Sequence, residues 1–179
     1  MTHDPRYPIG RYAPPEAIDA AVLEGWAGAL ADAPGRVRQV LHGLSDSQLD
    51  TPYREGGWSV RQVAHHLPDS HMHAYLRFKW ALTEPTPAVP GYDEARWAEL
   101  SDSLHGPVEP ALALLEALHE RWLALIVTMA PADFERGFVN PRNGTERSLG
   151  WLLGLYVWHG AHHTAQVAAL REQRGWGEP

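Results

Sequence analysis

Apolar residues recur at three- and four-residue steps in four long stretches of the chain, the spacing that turns one face of an α-helix to a core. In the first stretch, Ile18, Val22, Trp26, Leu30, Val37, Leu41 and Leu44 predict a helix over roughly 16–43. Pro34-Gly35 interrupts it and predicts a kink or break, because proline removes a helical donor. Ser45-Asp46-Ser47-Gln48 has the form of a capping box and opens a short turn. After a loop at Gly56-Gly57, a second capping box, Ser59 with Gln62, starts a helix at about Val60 that runs to about Thr83. Its stripe is Val60, Val63, Leu67, Ala74, Phe78 and Ala81, and Pro68 within it predicts a bend.

Residues 84–92 hold three prolines and read as loop, and 95–100 as a short helical turn. The third long helix, from about Val108 to Met129, carries the seam Ala111, Leu115, Leu118, Trp122, Leu125, Ile126 and Met129, and Pro131 ends it. Gly137-Phe138-Val139 and Glu146-Arg147 flank Asn143-Gly144, which predicts a small hairpin or irregular excursion. Ser148 is the N-cap of the last helix, from about Leu149 to Gln173, and Gly175 closes it. Residues 1–15, rich in Pro and Tyr, read as an extended arm lying on the body. The chain shows no internal repeat and no strand–helix–strand alternation. The expectation is a single all-α domain over 1–179, a four-helix bundle with a small hairpin before the last helix.

Composition narrows the chemistry. With 44% hydrophobic and 21% charged residues, 179 residues can bury one sizeable core. A formal charge of −7 and the lack of any Lys or Arg run argue against a nucleic-acid partner. No apolar run approaches the ~20 residues that span a bilayer. The opening MTHDPRYPIG is not a basic region followed by an apolar one, so it does not read as a signal peptide. The expectation is a cytoplasmic protein with no membrane partner. There is no cysteine, which excludes disulfides, thiolate nucleophiles and cysteine-type zinc sites; a metal site here must use His and carboxylate.

The 11 histidines are clustered. On the last helix Leu149, Leu152, Tyr156, Val167 and Leu170 share a face with His159 and His163, which are four apart and stand one above the other. His162 points about 100° away from His163, outside that face. Two imidazoles on an apolar seam need partners, either hydrogen bonds in the core or a shared metal ion. The second helix adds His65, His66, His71 and His73. His71 lies nearest the apolar stripe, His66 on its flank and His65 on the far side. Periodicity alone leaves both His66 and His71 open as a third ligand.

The stretch Tyr53-Arg54-Glu55-Gly56-Gly57-Trp58-Ser59-Val60-Arg61-Gln62-Val63-Ala64-His65-His66-Leu67 resembles a signature of the DinB-like superfamily, as does Tyr156-Val157-Trp158-His159-Gly160-Ala161-His162-His163. The Tyr7-Pro8-Ile9-Gly10 opening and the segments DSQLDTPYREGGW, DSHMHAYLRFKWALTE and YDEARWAELSDS are similar to its YfiT group, described as metal-dependent hydrolases and as bacillithiol S-transferases. The resemblance covers nearly the whole chain. It implies a four-helix bundle, often a homodimer, that holds one nickel or zinc ion per chain. The implied ligands are the second His of the HH pair and two His four apart on the last helix: His66, His159 and His163. One departure is Pro68, where a small helix former such as alanine is expected.

Three neutral imidazoles leave coordination positions open, the pattern of a catalytic rather than a closed structural site. Two chemistries use the same ligands: attack by an activated water, a hydrolase, or attack by a low-molecular-weight thiol on an electrophile, a transferase, which the resemblance favours. A non-catalytic, metal-stabilised protein is the third reading, and it predicts a fourth protein ligand. Asp69, Ser70 and Gln166 are candidates for orienting the ligands. Arg77, nearly three turns along from His66 on the same side, either pairs with an acidic residue or grips a carboxylate of the thiol, such as the malate of bacillithiol. Asp69, Arg77 and Tyr156 are candidate helpers in catalysis, and Tyr156, Trp158 and Trp151 candidate pocket walls.

Overall fold

A computed structural model describes residues 4–177. Its long helices are α1 (Ala20–Leu41), α3 (Val60–Thr83), α6 (Val108–Ile126) and α7 (Leu149–Arg174). Between them lie the short helices α2 (Asp46–Leu49), α4 (Glu94–Ala98) and α5 (Ser101–His105). A 3₁₀ turn over Pro131–Glu135 leads into β1 (Gly137–Asn140) and β2 (Thr145–Ser148). α3 packs on α6 and α7, and α1 packs on the same two helices, which closes a four-helix ring in the order α1–α6–α3–α7. The expected bundle is therefore present.

Local chemistry sets the helix ends. The Ser59 hydroxyl accepts from Gln62 N–H at 3.1 Å while Ser59 N–H donates to Gln62 Oε1 at 2.8 Å, the reciprocal box that starts α3 where the sequence placed it. Asp19 caps α1, accepting from Val22 N–H, so this helix begins at Ala20 rather than at residue 16. Ser148 caps α7 through Trp151 N–H, and Gly175, at φ 63°, closes it in the left-handed conformation that glycine adopts without strain. Arg171 donates to the carbonyls of Val40 and His42, satisfying the last turn of α1.

The expected break at Pro34 does not occur: α1 runs continuously from Ala20 to Leu41 with Pro34 buried inside it. α3 likewise continues through buried Pro68. Both prolines are buried, and each helix continues across its one missing hydrogen bond. β1 and β2 pair antiparallel from Gly137 opposite Ser148 to Asn140 opposite Thr145, the small hairpin expected. The third long helix ends at Ile126, three residues short of Met129, and α5 was not foreseen. Residues 4–19 of the N-terminal arm lie along α7, through Trp158 Nε1–H to Gly10 O at 3.2 Å and Gln166 Nε2–H to Arg6 O at 3.1 Å. Residues 1–3 of the expected arm lie outside the described range. Gly154 admits this packing, since a Cβ there would meet Trp26 and the Tyr12 hydroxyl at 2.5 Å.

Two apolar cores stack along the bundle axis. One gathers Leu30, Ala74, Phe78, Trp122, Ile126, Leu149, Leu152 and Leu153. The other gathers Val37, Val40, Val60, Val63, Leu67, Leu112, Leu115, Val167 and Leu170. In each long helix the segment between its contributions to the two cores is polar or irregular: Pro34 in α1, His66 to His71 in α3, His119 in α6, and His159 to His163 in α7. The bundle has a histidine waist.

Candidate metal centre

His66, His159 and His163 come together at this waist, each offering one ring nitrogen, and these nitrogens all lie within 4.8 Å of one another. The helical spacing on α7 stacks His159 on His163, with ring centroids 4.6 Å apart, and α3 brings His66 across to them. His66 Nε2 stands 3.2 Å from His159 Nε2. Two nitrogens bound to one ion at about 2.0–2.1 Å and at the tetrahedral angle stand about 3.3 Å apart, so the observed edge suits a shared ion.

The other ring nitrogen of every one of these histidines is engaged by the protein. His66 Nδ1 meets the Tyr92 hydroxyl at 3.3 Å, His159 Nδ1 meets His71 Nε2 at 3.3 Å, and His163 Nδ1 meets Gln166 Oε1 at 2.8 Å. An amide oxygen only accepts, so His163 carries its proton on Nδ1 and leaves Nε2 free. Such outer contacts orient metal-ligating histidines. Burial holds all three imidazoles neutral: His66 is brought down to about 4, and His159 and His163 well below the ordinary histidine value. Neutral imidazole is the ligand form, so the donor set fits a divalent ion. Among the described residues no fourth His, Asp or Glu joins the set.

Trp58 packs on the cluster, 4.7 Å from the His66 ring and parallel to His163 at 6.4 Å. A cleft of about 410 Å³ opens onto His163, walled by Trp58, Tyr7, Arg6, Arg54 and Gln166.

The remaining histidines sort by contact. His71, the alternative that periodicity left open, is 1% exposed and sits behind His159 rather than in the ligand set. His162 lies outside that set as expected but is buried, accepting from Gln166 Nε2–H at 3.0 Å and stacked on Trp158. His65 faces the Gly106 carbonyl, and His73 stacks on Tyr92 at 4.3 Å.

Of the candidate orienting groups, Gln166 does contact one of the three histidines, His163. The Ser70 hydroxyl instead donates to the Tyr156 hydroxyl at 3.3 Å, and the Tyr156 ring packs between His71 and His159. Asp69 makes no hydrogen bond to the three histidines among the described residues; burial, with Asp102 nearby, pushes its carboxyl up to about 6. Arg77 has no carboxylate within 4.0 Å among the described residues, so the acidic partner considered for it is not found there. It stacks over Phe138 and lines a second cleft, of about 290 Å³, with Asn140, Arg147, Trp151 and Tyr156, and none of the three histidines. Trp158 caps the arm rather than a pocket wall. Sequence reasoning missed Tyr92, Trp58 and His119. Only His119 left a readable signal, a lone imidazole on the seam between Leu115 and Trp122.

A family model of the DinB superfamily matches residues 29–167. The chain belongs to the DinB superfamily. Within this superfamily it falls in the YfiT group. YfiT of Bacillus subtilis (strain 168), provisionally named a metal-dependent hydrolase, is 49% identical over 170 residues, which cover 95% of this chain and 96% of the relative. A similarly named protein of Geobacillus kaustophilus (strain HTA426) is 49% identical over 177 residues, covering 98% and 99%. The solved structure of Bacillus subtilis YfiT, described as having an unusual four-helix bundle topology, superimposes with a TM-score of 0.94 at 48% identity, over 97% of this chain and 99% of that one.

Proposed function

We propose that this DinB-superfamily chain is a metal-dependent enzyme that transfers a low-molecular-weight thiol, bacillithiol-like, to electrophilic small molecules. His66, His159 and His163 hold one divalent ion, zinc or nickel, through Nε2. The observation that carries the reading is the set of three neutral imidazoles, each with its Nδ1 engaged, with no fourth protein ligand among the described residues and a cleft opening onto His163. A structural metal site is closed by four protein ligands; three ligands and access are the catalytic pattern. When bound, the ion acidifies the oxygen or sulfur nucleophile that it holds.

The chain's own residues supply the rest. Trp58 and Tyr7 wall the cleft and exclude water from one side. Arg54 lines the cleft beside Glu94, and Arg6, also in its wall, is paired with Asp4 at 2.9 Å. Arg77, free of acidic partners among the described residues, grips a carboxylate in the neighbouring cleft, and Tyr156 separates that cleft from His159. Asp69 lines neither cleft and hydrogen-bonds to none of the three histidines, so it takes no part in this reading. The chain works as a cytoplasmic homodimer on small-molecule substrates. The second reading, a hydrolase with the same ligands, is supported by the provisional names of the relatives.

Metal content of the purified protein beside His66→Ala and His163→Ala tests the site. About one divalent ion per chain, lost in both variants while the helical signal persists, is expected. No metal in the wild type after reconstitution refutes the centre. Adding a small thiol to cobalt-loaded protein separates the readings: a sulfur-to-metal charge-transfer band supports thiol transfer, and no spectral change leaves the hydrolase.

A further inference from the structure

We infer that His119 and His71, anchored on the Leu30 carbonyl, form a one-directional hydrogen-bond relay that fixes His159 as its Nδ1–H tautomer and turns its Nε2 lone pair toward His66 and His163. These are positioning residues on two helices, one of which, α6, supplies no ligand.

The relay begins with a proline. In α1 the carbonyl of Leu30 should accept from the N–H of residue 34, but Pro34 has none, and the helix continues regardless. The carbonyl of Leu30, a fully buried residue, is thereby left for another donor. His119 Nδ1 fills the place at 2.8 Å. A carbonyl oxygen only accepts, so the proton of His119 is on Nδ1. A neutral imidazole has one N–H, so His119 Nε2 is an acceptor. Facing it at 2.8 Å is His71 Nδ1, which must donate. His71 Nε2 is then the acceptor, and His159 Nδ1 at 3.3 Å must donate to it. His159 Nε2 is left with its lone pair, 3.2 Å from His66 Nε2. Reversing any link sets two lone pairs, or two N–H groups, against each other and returns the error to the carbonyl.

This order holds for neutral rings, and the surroundings supply that condition. His71 and His119 are 1% and 2% exposed, and among the described residues no carboxylate lies within 4.0 Å of either ring. Their rings stack at 4.9 Å beside Trp122 and Tyr156, which offer no counter-charge. Outer hydrogen bonds fix the tautomer and basicity of metal-ligating histidines. Here the outer bond is itself oriented by two further bonds that end on the main chain of α1. The consequence for affinity rests on the reading of the three histidines as a metal centre; the tautomer order does not.

The primary test uses metal-free wild-type protein labelled with ¹⁵N, in a long-range proton–nitrogen correlation of the imidazole rings at pH 7.5. Resonances are assigned through His71→Gln, His119→Gln and His159→Gln. His119, His71 and His159 are all expected as Nδ1–H tautomers, and an Nε2–H form in any of them overturns the relay. The same pattern in a protein that takes up no metal supports the relay while refuting the metal centre. The second test compares His119→Phe with His119→Gln by competition of cobalt binding against a chelator. Glutamine retains one donor and one acceptor and is expected to keep His159 as Nδ1–H with near wild-type affinity. Phenylalanine is expected to release that tautomer and weaken affinity about ten- to a hundredfold. Wild-type affinity in a folded His119→Phe overturns the positioning role.

Discussion

Acid should unfold the metal-free protein earlier than its carboxylates alone would dictate. His66, His71 and His163 are 8%, 1% and 8% exposed, and burial holds His66 at about 4 and the other two well below the ordinary value. In the unfolded chain each returns to about 6.5. Their folded values are depressed, so the stability they contribute is complete above about pH 6.5 and is lost as pH falls toward 4. Between pH 7.5 and 5.5 an unfolded histidine goes from about one-tenth to about nine-tenths protonated, which favours unfolding by about 1.4 kcal/mol per group. Three such groups give about 4 kcal/mol, set against a total of about 5–15 kcal/mol for an ordinary domain. His119 and His159 act in the same sense, and Asp69 offsets part of it. Urea midpoints followed by circular dichroism at several pH values measure the loss. The same neutrality makes a second, less intuitive demand. Since folding has already expelled the protons, affinity for a divalent ion should stay nearly level over this range, and the metal should raise the stability curve without changing its slope. A level urea midpoint in metal-free protein, paired with an affinity that falls steeply with acid, would refute the reasoning, because both mark histidines with ordinary pKa values.

Gln166→Ala removes the acceptor that holds His163 Nδ1 at 2.8 Å; the expected result is a ten- to hundredfold loss of cobalt affinity in chelator competition with helicity retained, and unchanged affinity would deny Gln166 any orienting role. Asp69→Asn should raise the thermal midpoint of metal-loaded protein at pH 8. The folded carboxyl is raised to about 6, so the gain should shrink as pH falls through 6 and vanish below about 4; a gain independent of pH would show that charge is not its cause.

The bundle was legible because amphipathic period and capping boxes are local signals. Ser59 with Gln62 placed the start of α3 at Val60, and Ser148 placed that of α7 at Leu149. Proline was misread in α1 for a physical reason. A lost hydrogen bond is decisive in an isolated helix, but Pro34 is buried in the bundle and the Leu30 carbonyl that it orphans is taken by His119. The His159–His163 pair was readable from helical spacing. The choice of His66 over His71 was not, because both stand at the edge of one stripe, and only the meeting of α3 with α7 separates them. Family resemblance made that choice, and the geometry agrees with it. Tyr92 and Trp58 approach the site from loops, where no periodicity marks a direction.

The position of the waist explains why so polar a layer is tolerated in a bundle core. Five imidazoles at one level interrupt what would otherwise be a single apolar core, and an unpaired buried polar group costs about 1–3 kcal/mol. The relay and the outer contacts of His66 and His163 remove most of that cost in advance, without any ion. What they leave is concentrated where the ring nitrogens converge: the Nε2 atoms of His159 and His163 are acceptors, and His66 Nε2 stands 3.2 Å from His159 Nε2. A cation is the species that relieves this arrangement. The metal-free fold thus gathers acceptor nitrogens at its waist, held in place by Leu30, Pro34 and the two cores above and below. Selectivity for a cation follows from the direction in which the waist is hydrogen-bonded: with the Nδ1 protons of His159 and His163 turned outward into protein, both present acceptors to the centre.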